Sequence, residues 1–290
     1  MTFKETLRYW LSQLKFTWPL VKRNLSIHYA WLIWALPFEL ISILVAVASW
    51  IYFGRMFHAF PEALAVYGGD YTSYIIIGVF AYNILHETMV IPYRAVVEIL
   101  TSSFSEMGHR ISLRDYLLMA GANPWVVAFV SIIITYIRYS IYLLLYLVAV
   151  HFFLGFKLSP NANYLGVAIA LILGLIAVIG IGLISASMIW IARAWHGTEP
   201  ITWTIGVLTS LVSSVYFPAE ILPEWLKMIA YNLPHTYAIE AIKLALLAGY
   251  QNTALMPYFI RLLGYCLVLM PTGVILLRIA NNIAKRRGGI

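Results

Sequence analysis

Six apolar stretches, each long enough to cross a bilayer, constrain this chain more than any other feature. A membrane-spanning helix needs about 20 predominantly apolar residues. The predicted spans are Trp31–Phe53, Tyr71–Ile91, Trp125–Phe153, Tyr164–Ile191, Pro200–Phe217 and Met256–Ala280. Charged residues make up only 11% of the 290 residues, whereas soluble domains carry roughly 25%, so a soluble fold is excluded. We predict an all-α, multi-pass membrane protein that forms a single domain over residues 1–290.

Lysine and arginine residues are distributed unequally between the two sides of these spans. Thirteen of the nineteen fall on the side that carries both termini, and five fall on the other side. Because cytoplasmic loops are enriched in Lys and Arg, both termini are predicted to lie in the cytoplasm and the protein in the cell (inner or plasma) membrane. This juxtamembrane charge also accounts for the net charge of +7, so a nucleic-acid partner is not expected.

The stretch after the fifth span is apolar but interrupted by prolines, which disrupt the interior of a helix. Irregular backbone at membrane depth is tolerated only where it is buried in protein or lines a wet cavity. A full crossing here would place the basic C-terminal residues outside, against the charge rule. We therefore predict a re-entrant hairpin of two short helices over residues 218–249, entering from the outer face. Its candidate gate residues are Phe217, Pro218, Leu222, Pro223, Trp225 and Pro234.

Residues 1–30 carry apolar side chains at three- and four-residue steps, with Lys and Arg largely off that stripe. This pattern is typical of a helix that lies in the membrane interface and contacts lipid. A soluble helix packed on a partner protein is the alternative interpretation.

Residues 94–122, between the second and third spans, mix charges of both signs with many apolar residues. At protein interfaces, apolar anchors fill pockets and charges fix the register. The segment therefore predicts a short cytoplasmic helix within Ile99–Met119 that docks on another protein, with a solvated connecting turn as the alternative. The candidate contact residues are Phe104, Glu106, Arg110, Arg114, Asp115, Leu117 and Leu118.

Glu39, Glu87 and Arg138 lie inside predicted spans, where a charge costs about 3 kcal/mol on insertion scales. Two arrangements are compatible with them. Arg138 pairs with one of the carboxylates as a structural lock, or all three face a cavity that conducts a polar solute. We favour the pair, which is the commoner use of such residues.

The sequence offers no catalytic or metal-binding motif. It contains no G-x-x-x-x-G-K-[ST] run and no evident nucleophile–base pair, and Val90 stands where a zinc-protease motif beginning at His86 would need its second histidine. We expect a non-catalytic chain that binds no cofactor or metal itself. Uphill transport would then require an ion gradient or a separate ATPase, and the predicted docking helix favours the ATPase.

Three motifs resemble those of ABC-2 type permeases, the transmembrane subunits of ABC exporters. The first comprises Glu106-Met107-Gly108, Leu117-Leu118 and Pro124; the second, Phe217-Pro218, Leu222-Pro223 and Trp225-Leu226; the third, Leu233-Pro234-His235-Thr236-Tyr237 and Glu240-Ala241-Ile242-Lys243. Many members of the family have Arg where Lys243 stands and Asn directly before the proline of the third motif.

The resemblance implies two permease copies, expected to be a homodimer, each paired with a nucleotide-binding ATPase subunit that holds ATP and Mg. The helix within Ile99–Met119 would couple to that ATPase, and the outer hairpin would form part of an extracellular gate. The implied activity is outward movement of an amphipathic small molecule, lipid or glycan. An ion-coupled secondary transporter using Glu39, Glu87 and Arg138 is the alternative, although no internal repeat typical of such carriers is evident. A membrane-embedded enzyme using His86 and Glu87 is a third.

Overall fold

A computed structural model describes most of the predicted membrane domain. The described residues are 33–56, 61–68, 70–101, 103–106, 109–112, 124–154, 159–192 and 200–286, with the single residues Ser12, Lys22, Ser26, Tyr29, Trp31, Met119 and Phe156. Most of the predicted interfacial helix, residues 1–30, lies outside the described residues.

Helices dominate the structure. In chain order the elements are α1 (Leu36–Met56), α2 (Pro61–Ala65), α3 (Tyr71–Thr101), β1 (Ser103–Glu106), β2 (His109–Ser112), α4 (Pro124–Leu154), α5 (Tyr164–Ala192), α6 (Pro200–Val212), a 3₁₀ turn (Ala219–Ile221), α7 (Glu224–Ala230), α8 (Pro234–Leu247) and α9 (Asn252–Arg286). Apart from the short β-hairpin, the described fold is helical, as predicted.

Four helices are long and apolar enough to cross a membrane, over Tyr71–Val97, Ile132–Leu154, Tyr164–Ile189 and Asn252–Ile283. Two shorter apolar helices, Leu36–Tyr52 and Pro200–Val212, occupy the predicted first and fifth spans. An apolar helix therefore stands at each of the six predicted places, and within the described residues length and composition qualify four of them as spans.

Close packing between helices forms the centre of the fold. Helix α5 packs along α9 and also contacts α3 and α8. Gly180 on α5 and Gly273 on α9 face each other so closely that a Cβ on Gly273 would lie 2.6 Å from the Gly180 carbonyl oxygen. Small residues of this kind allow helix backbones to approach in a membrane, where packing rather than water exclusion drives helix association.

The predicted break after the fifth span is present, but it comes earlier than expected. Helix α6 ends at Val212 instead of Phe217, and Ser214 adopts a left-handed backbone conformation with φ of 56°. Two short helices follow, α7 and α8, as the hairpin prediction required. Almost all of α8 is buried within the protein, so this helix is a core element.

The segment after α3 differs from the prediction. Ser103–Glu106 and His109–Ser112 pair as antiparallel strands, Ser103 with Ser112 and Glu106 with His109, so the helix predicted within Ile99–Met119 does not include these eight residues. The register places Phe104 opposite Ile111, and three of the eight strand residues are serines, which favour helices poorly. Arg114, Asp115, Leu117 and Leu118 lie outside the described residues, whereas Met119 is helical.

Candidate functional site: two cavities beside helix α3

Two cavities lie beside helix α3. The first, of about 820 Å³, lies between α3 and α6 and is lined by Tyr82, His86, Tyr93, Trp203 and Ser210 among others; we call it the aromatic cavity. The second, of about 690 Å³, lies between α1, α3 and α4 and is lined by Glu39, Glu87 and Arg138; we call it the charged cavity. Arg94 lines both.

The aromatic cavity depends on a glycine in α6. A Cβ on Gly206 would lie 2.5 Å from Cε1 of His86, so only glycine lets the imidazole fit beside α6. Tyr82 stacks on His86 with ring centroids 5.3 Å apart, and its hydroxyl donates a hydrogen bond of 3.3 Å to the Gly206 carbonyl. Aromatic rings with a few fixed polar groups suit a ligand that is largely apolar.

All three charged residues predicted inside the spans line the charged cavity. Their pairing differs from the prediction. Arg94 Nη1 lies 2.8 Å from Glu87 Oε2, and Glu39 Oε1 accepts a hydrogen bond of 2.8 Å from Trp31 Nε1. Within the described part of the chain, neither carboxylate forms an ion pair with Arg138, so the predicted lock is absent.

Arg94 was not among the site residues predicted from the sequence. The seven-residue separation of Glu87 and Arg94 was the available signal, because two helical turns bring residues onto one face. The same helix argues against an enzyme that uses His86 and Glu87 together. His86 lines the aromatic cavity and Glu87 lines the charged cavity.

A buried polar junction joins α8 to the break after α6. Lys243 donates hydrogen bonds to the backbone carbonyls of Ser214 and, at 3.1 Å, of Val215, while Glu240 Oε1 accepts one of 2.7 Å from the Ser214 hydroxyl. Carbonyls at a helix end lack partners within the helix, and the lysine supplies donors to two of them. Neither Lys243 nor Glu240 is exposed by more than 1%.

Helix α3 closes this junction from the other side. The Lys243 ammonium lies 3.1 Å from the centroid of the Tyr74 ring, and the Tyr74 hydroxyl donates a hydrogen bond of 3.1 Å to the Ser214 carbonyl. A Cβ on Gly78 would lie 2.7 Å from Lys243 Nζ and even closer to the Val215 carbonyl oxygen. From the sequence, Lys243 and Glu240 were noted in a family motif, and their three-residue spacing, which places both on one face of a helix, was the available signal for a buried polar site.

Comparison with known proteins identifies the family. Residues 88–247 match the family model of ABC-2 type transporters, which covers more than half of the chain. The chain belongs to the ABC-2 type transporter family. No curated protein matches the chain. The protein is thus a multi-pass membrane permease, and membership of the family implies association with an ABC ATPase.

The predicted gate residues of this permease lie at the ends of its short helices. Pro218 precedes the 3₁₀ turn, Pro223 caps α7 and Pro234 is the first residue of α8. Phe217 and Leu222 pack in a small apolar cluster with Val212, Ala219 and Ala230. Trp225 is 64% exposed, which leaves its ring available to lipid or to another subunit.

The predicted coupling residues of the permease are only partly described. Phe104 and Glu106 lie on β1, and Arg110 lies on β2, where it is paired with Ser105. Helix α3 ends at Thr101, two residues before β1 begins. The hairpin is therefore attached almost directly to the helix that lines both cavities.

Proposed function

We propose that this permease is the membrane subunit of an ATP-driven exporter that moves an amphipathic small molecule, lipid or glycan outward. The two cavities beside α3 carry this proposal. One has mainly aromatic and apolar walls, the other has charged groups, and Arg94 belongs to both. A molecule with an apolar body and a polar end finds both environments next to α3.

Helix α3 connects the two ends of the proposed mechanism. Its 31 residues correspond to a length of about 46 Å at 1.5 Å per residue. The β-hairpin follows its C-terminal end, and Tyr74 and Gly78 near its N-terminal end contact the junction with α8. A displacement of the hairpin is thereby transmitted to the cavity walls and to the outer helices α7 and α8, as a rigid-body transition.

The proposed source of that displacement is an ABC ATPase that holds ATP and Mg and docks on the hairpin. In the full exporter, two permease copies each bind one ATPase subunit. Phe104 supplies an apolar anchor for the docking, and Glu106 and Arg110 supply charges that fix the register. The permease itself contributes no catalytic group.

Charge reversal in the hairpin tests the docking. We expect Glu106→Arg and Arg110→Glu each to abolish recovery of the ATPase subunit with affinity-tagged permease, while membrane insertion is unchanged. The matched control is Arg278→Glu, a reversal at an exposed position on the C-terminal part of α9. Normal recovery of the ATPase and normal transport in both hairpin variants would refute the docking role.

An ion-coupled carrier is the second candidate function. The observation that favours it is the presence of Glu39, Glu87 and Arg138 around one cavity. In a proton-coupled carrier, Glu87→Gln stops transport and so does collapse of the proton gradient. In an ATP-driven permease, transport continues after the gradient is collapsed, and Glu87→Gln reduces it only modestly.

A further inference from the structure

The charged cavity holds two opposite charges that do not neutralise each other. Of the four charged residues that line it, Glu87 and Arg94 form an ion pair. Arg138 forms no ion pair or hydrogen bond with any residue that the structure describes, and its Nε atom is buried without an acceptor. Glu39 accepts a hydrogen bond but has no ion-pair partner among the residues described.

Trp31 lies between these two charges. Its indole Nε1 donates a hydrogen bond of 2.8 Å to Glu39 Oε1, and the Arg138 guanidinium lies 4.9 Å from the centroid of the indole ring. The carboxylate is therefore at the edge of the ring and the guanidinium over its face. Neither contact supplies a counterion, and uncompensated charges within a membrane are costly and mark functional sites.

A ligand that carries both signs of charge would complement this arrangement. The guanidinium fork matches a phosphate or carboxylate group, and Glu39 would accept an ammonium group, which the rings of Tyr139 and Tyr142 nearby also favour. A purely anionic ligand would satisfy Arg138 but would face the carboxylate of Glu39 without a cation between them. The charge pattern thus favours a zwitterion over an anion.

The walls and the mouth of the charged cavity suit an amphiphile. Ile43 and Ala46 add apolar surface beside the charges. Phe38 lines the cavity and is 72% exposed, so the cavity reaches the outer surface of α1. A head group seated among the charges would leave its alkyl chain free to extend into the bilayer.

We propose that the charged cavity, with Arg138 and Glu39 held on opposite parts of the Trp31 indole, binds the head group of a zwitterionic amphiphile that carries a phosphate or carboxylate and an amine. The proposal that the amphiphile binds here is supported by the geometry of the charged cavity alone. The assignment of the bound amphiphile as exported cargo rests on the proposed function.

Binding is tested with two short-chain lipids of equal chain length on the full-length permease in uncharged detergent. The probes are dioctanoyl phosphatidylethanolamine, which is zwitterionic, and dioctanoyl phosphatidylglycerol, which is anionic. We expect the zwitterionic lipid to bind at least ten times more tightly to the wild type. Equal affinities, or tighter binding of the anionic lipid, would overturn the proposal.

Two substitutions test the roles of the charges. Arg138→Gln should weaken binding of the zwitterionic lipid at least tenfold. Glu39→Gln should shift the preference at least tenfold toward the anionic lipid, since the repelling carboxylate is gone. The ratio of the two affinities is measured within each variant, so a loss of folded protein does not produce the shift. Glu62→Gln, at an exposed position on α2, is the control; an unchanged ratio in Glu39→Gln contradicts the proposal.

A transfer assay separates cargo from resident lipid. Vesicles that contain the permease and its ATPase are loaded with labelled phosphatidylethanolamine and given ATP. ATP-dependent transfer that Arg138→Gln abolishes identifies the lipid as cargo. Selective binding without ATP-dependent transfer identifies a resident lipid, which upholds the site and removes this support for the proposed export of lipid.

Discussion

The buried junction between α8 and the end of α6 predicts a large and specific loss of stability when its lysine is removed. Lys243→Met keeps a long unbranched side chain but deletes the ammonium. The Val215 carbonyl loses its donor, whereas the Ser214 carbonyl keeps the Tyr74 hydroxyl. A buried acceptor left without a partner costs about 1–3 kcal/mol. Glu240 and Lys243 form no ion pair within 4 Å, so the loss of electrostatic attraction between them costs less than the roughly 3–5 kcal/mol typical of a broken buried ion pair.

We therefore expect Lys243→Met to lower the free energy of unfolding by about 2–4 kcal/mol. Part of that loss comes from the Glu240 carboxylate, which stays buried without the ammonium one helical turn away. Adding Glu240→Gln removes the charge while its side-chain oxygen still accepts from the Ser214 hydroxyl. The double variant should therefore be more stable than Lys243→Met alone, by about 1–3 kcal/mol, a coupling within the range seen for residues in contact.

The assay is unfolding of the purified permease by SDS in mixed micelles, monitored by circular dichroism. Lys227→Met is the matched control. It deletes a lysine that likewise has a glutamate three residues earlier, and that forms an ion pair with it, but Glu224 is 87% exposed, so we expect a change of at most about 1 kcal/mol. Equal effects of Lys227→Met and Lys243→Met, or a double variant less stable than Lys243→Met, would show that the buried junction does not stabilise the fold in this way.

Two further predictions use the same unfolding assay. Gly78→Ala should lower the free energy of unfolding by about 1–3 kcal/mol because the added methyl overlaps the Val215 carbonyl and Lys243. The control is Gly264→Ala on α9, where nothing lies within 4 Å of the added Cβ, and it should be neutral or slightly stabilising. Equal losses in the two variants would contradict the close packing around Gly78. Arg94→Gln removes the ion pair with Glu87, but the arginine side chain is 55% exposed, so the loss of unfolding free energy should stay below about 1 kcal/mol. A loss as large as that of Lys243→Met would show that the ion pair is far less exposed to solvent than the structure indicates.

Hydropathy alone predicted the helical fold because a helix that crosses a membrane must have a long apolar stretch. The breaks at Pro218, Pro223 and Pro234 were equally predictable, since proline cannot continue a helix ladder. The residue at which α6 ends could not be predicted from the sequence. The end of α6 depends on Ser214, whose left-handed backbone is stabilised by tertiary contacts with Lys243, Glu240 and Tyr74.

Charged residues were the least predictable part of the site. Their positions in the sequence indicated their depth in the membrane. Which residue each one contacts depends on the side chains of the neighbouring helices. Glu87 pairs along its own helix with Arg94, and Trp31 occupies the space between Glu39 and Arg138. The strands after α3 were not predicted for a different reason. Phe104, Met107 and Ile111 recur at three- and four-residue steps, which indicates a helix, whereas Ser103–Glu106 and His109–Ser112 pair as strands.

The most direct test of the central claim is the composition and activity of the permease purified from its own membranes. We expect an ABC ATPase to copurify with the permease in equal amount, the complex to hydrolyse ATP, and vesicles containing the complex to transport only when ATP is supplied. Full transport by the permease alone, in vesicles without any ATP-hydrolysing subunit, would contradict this expectation.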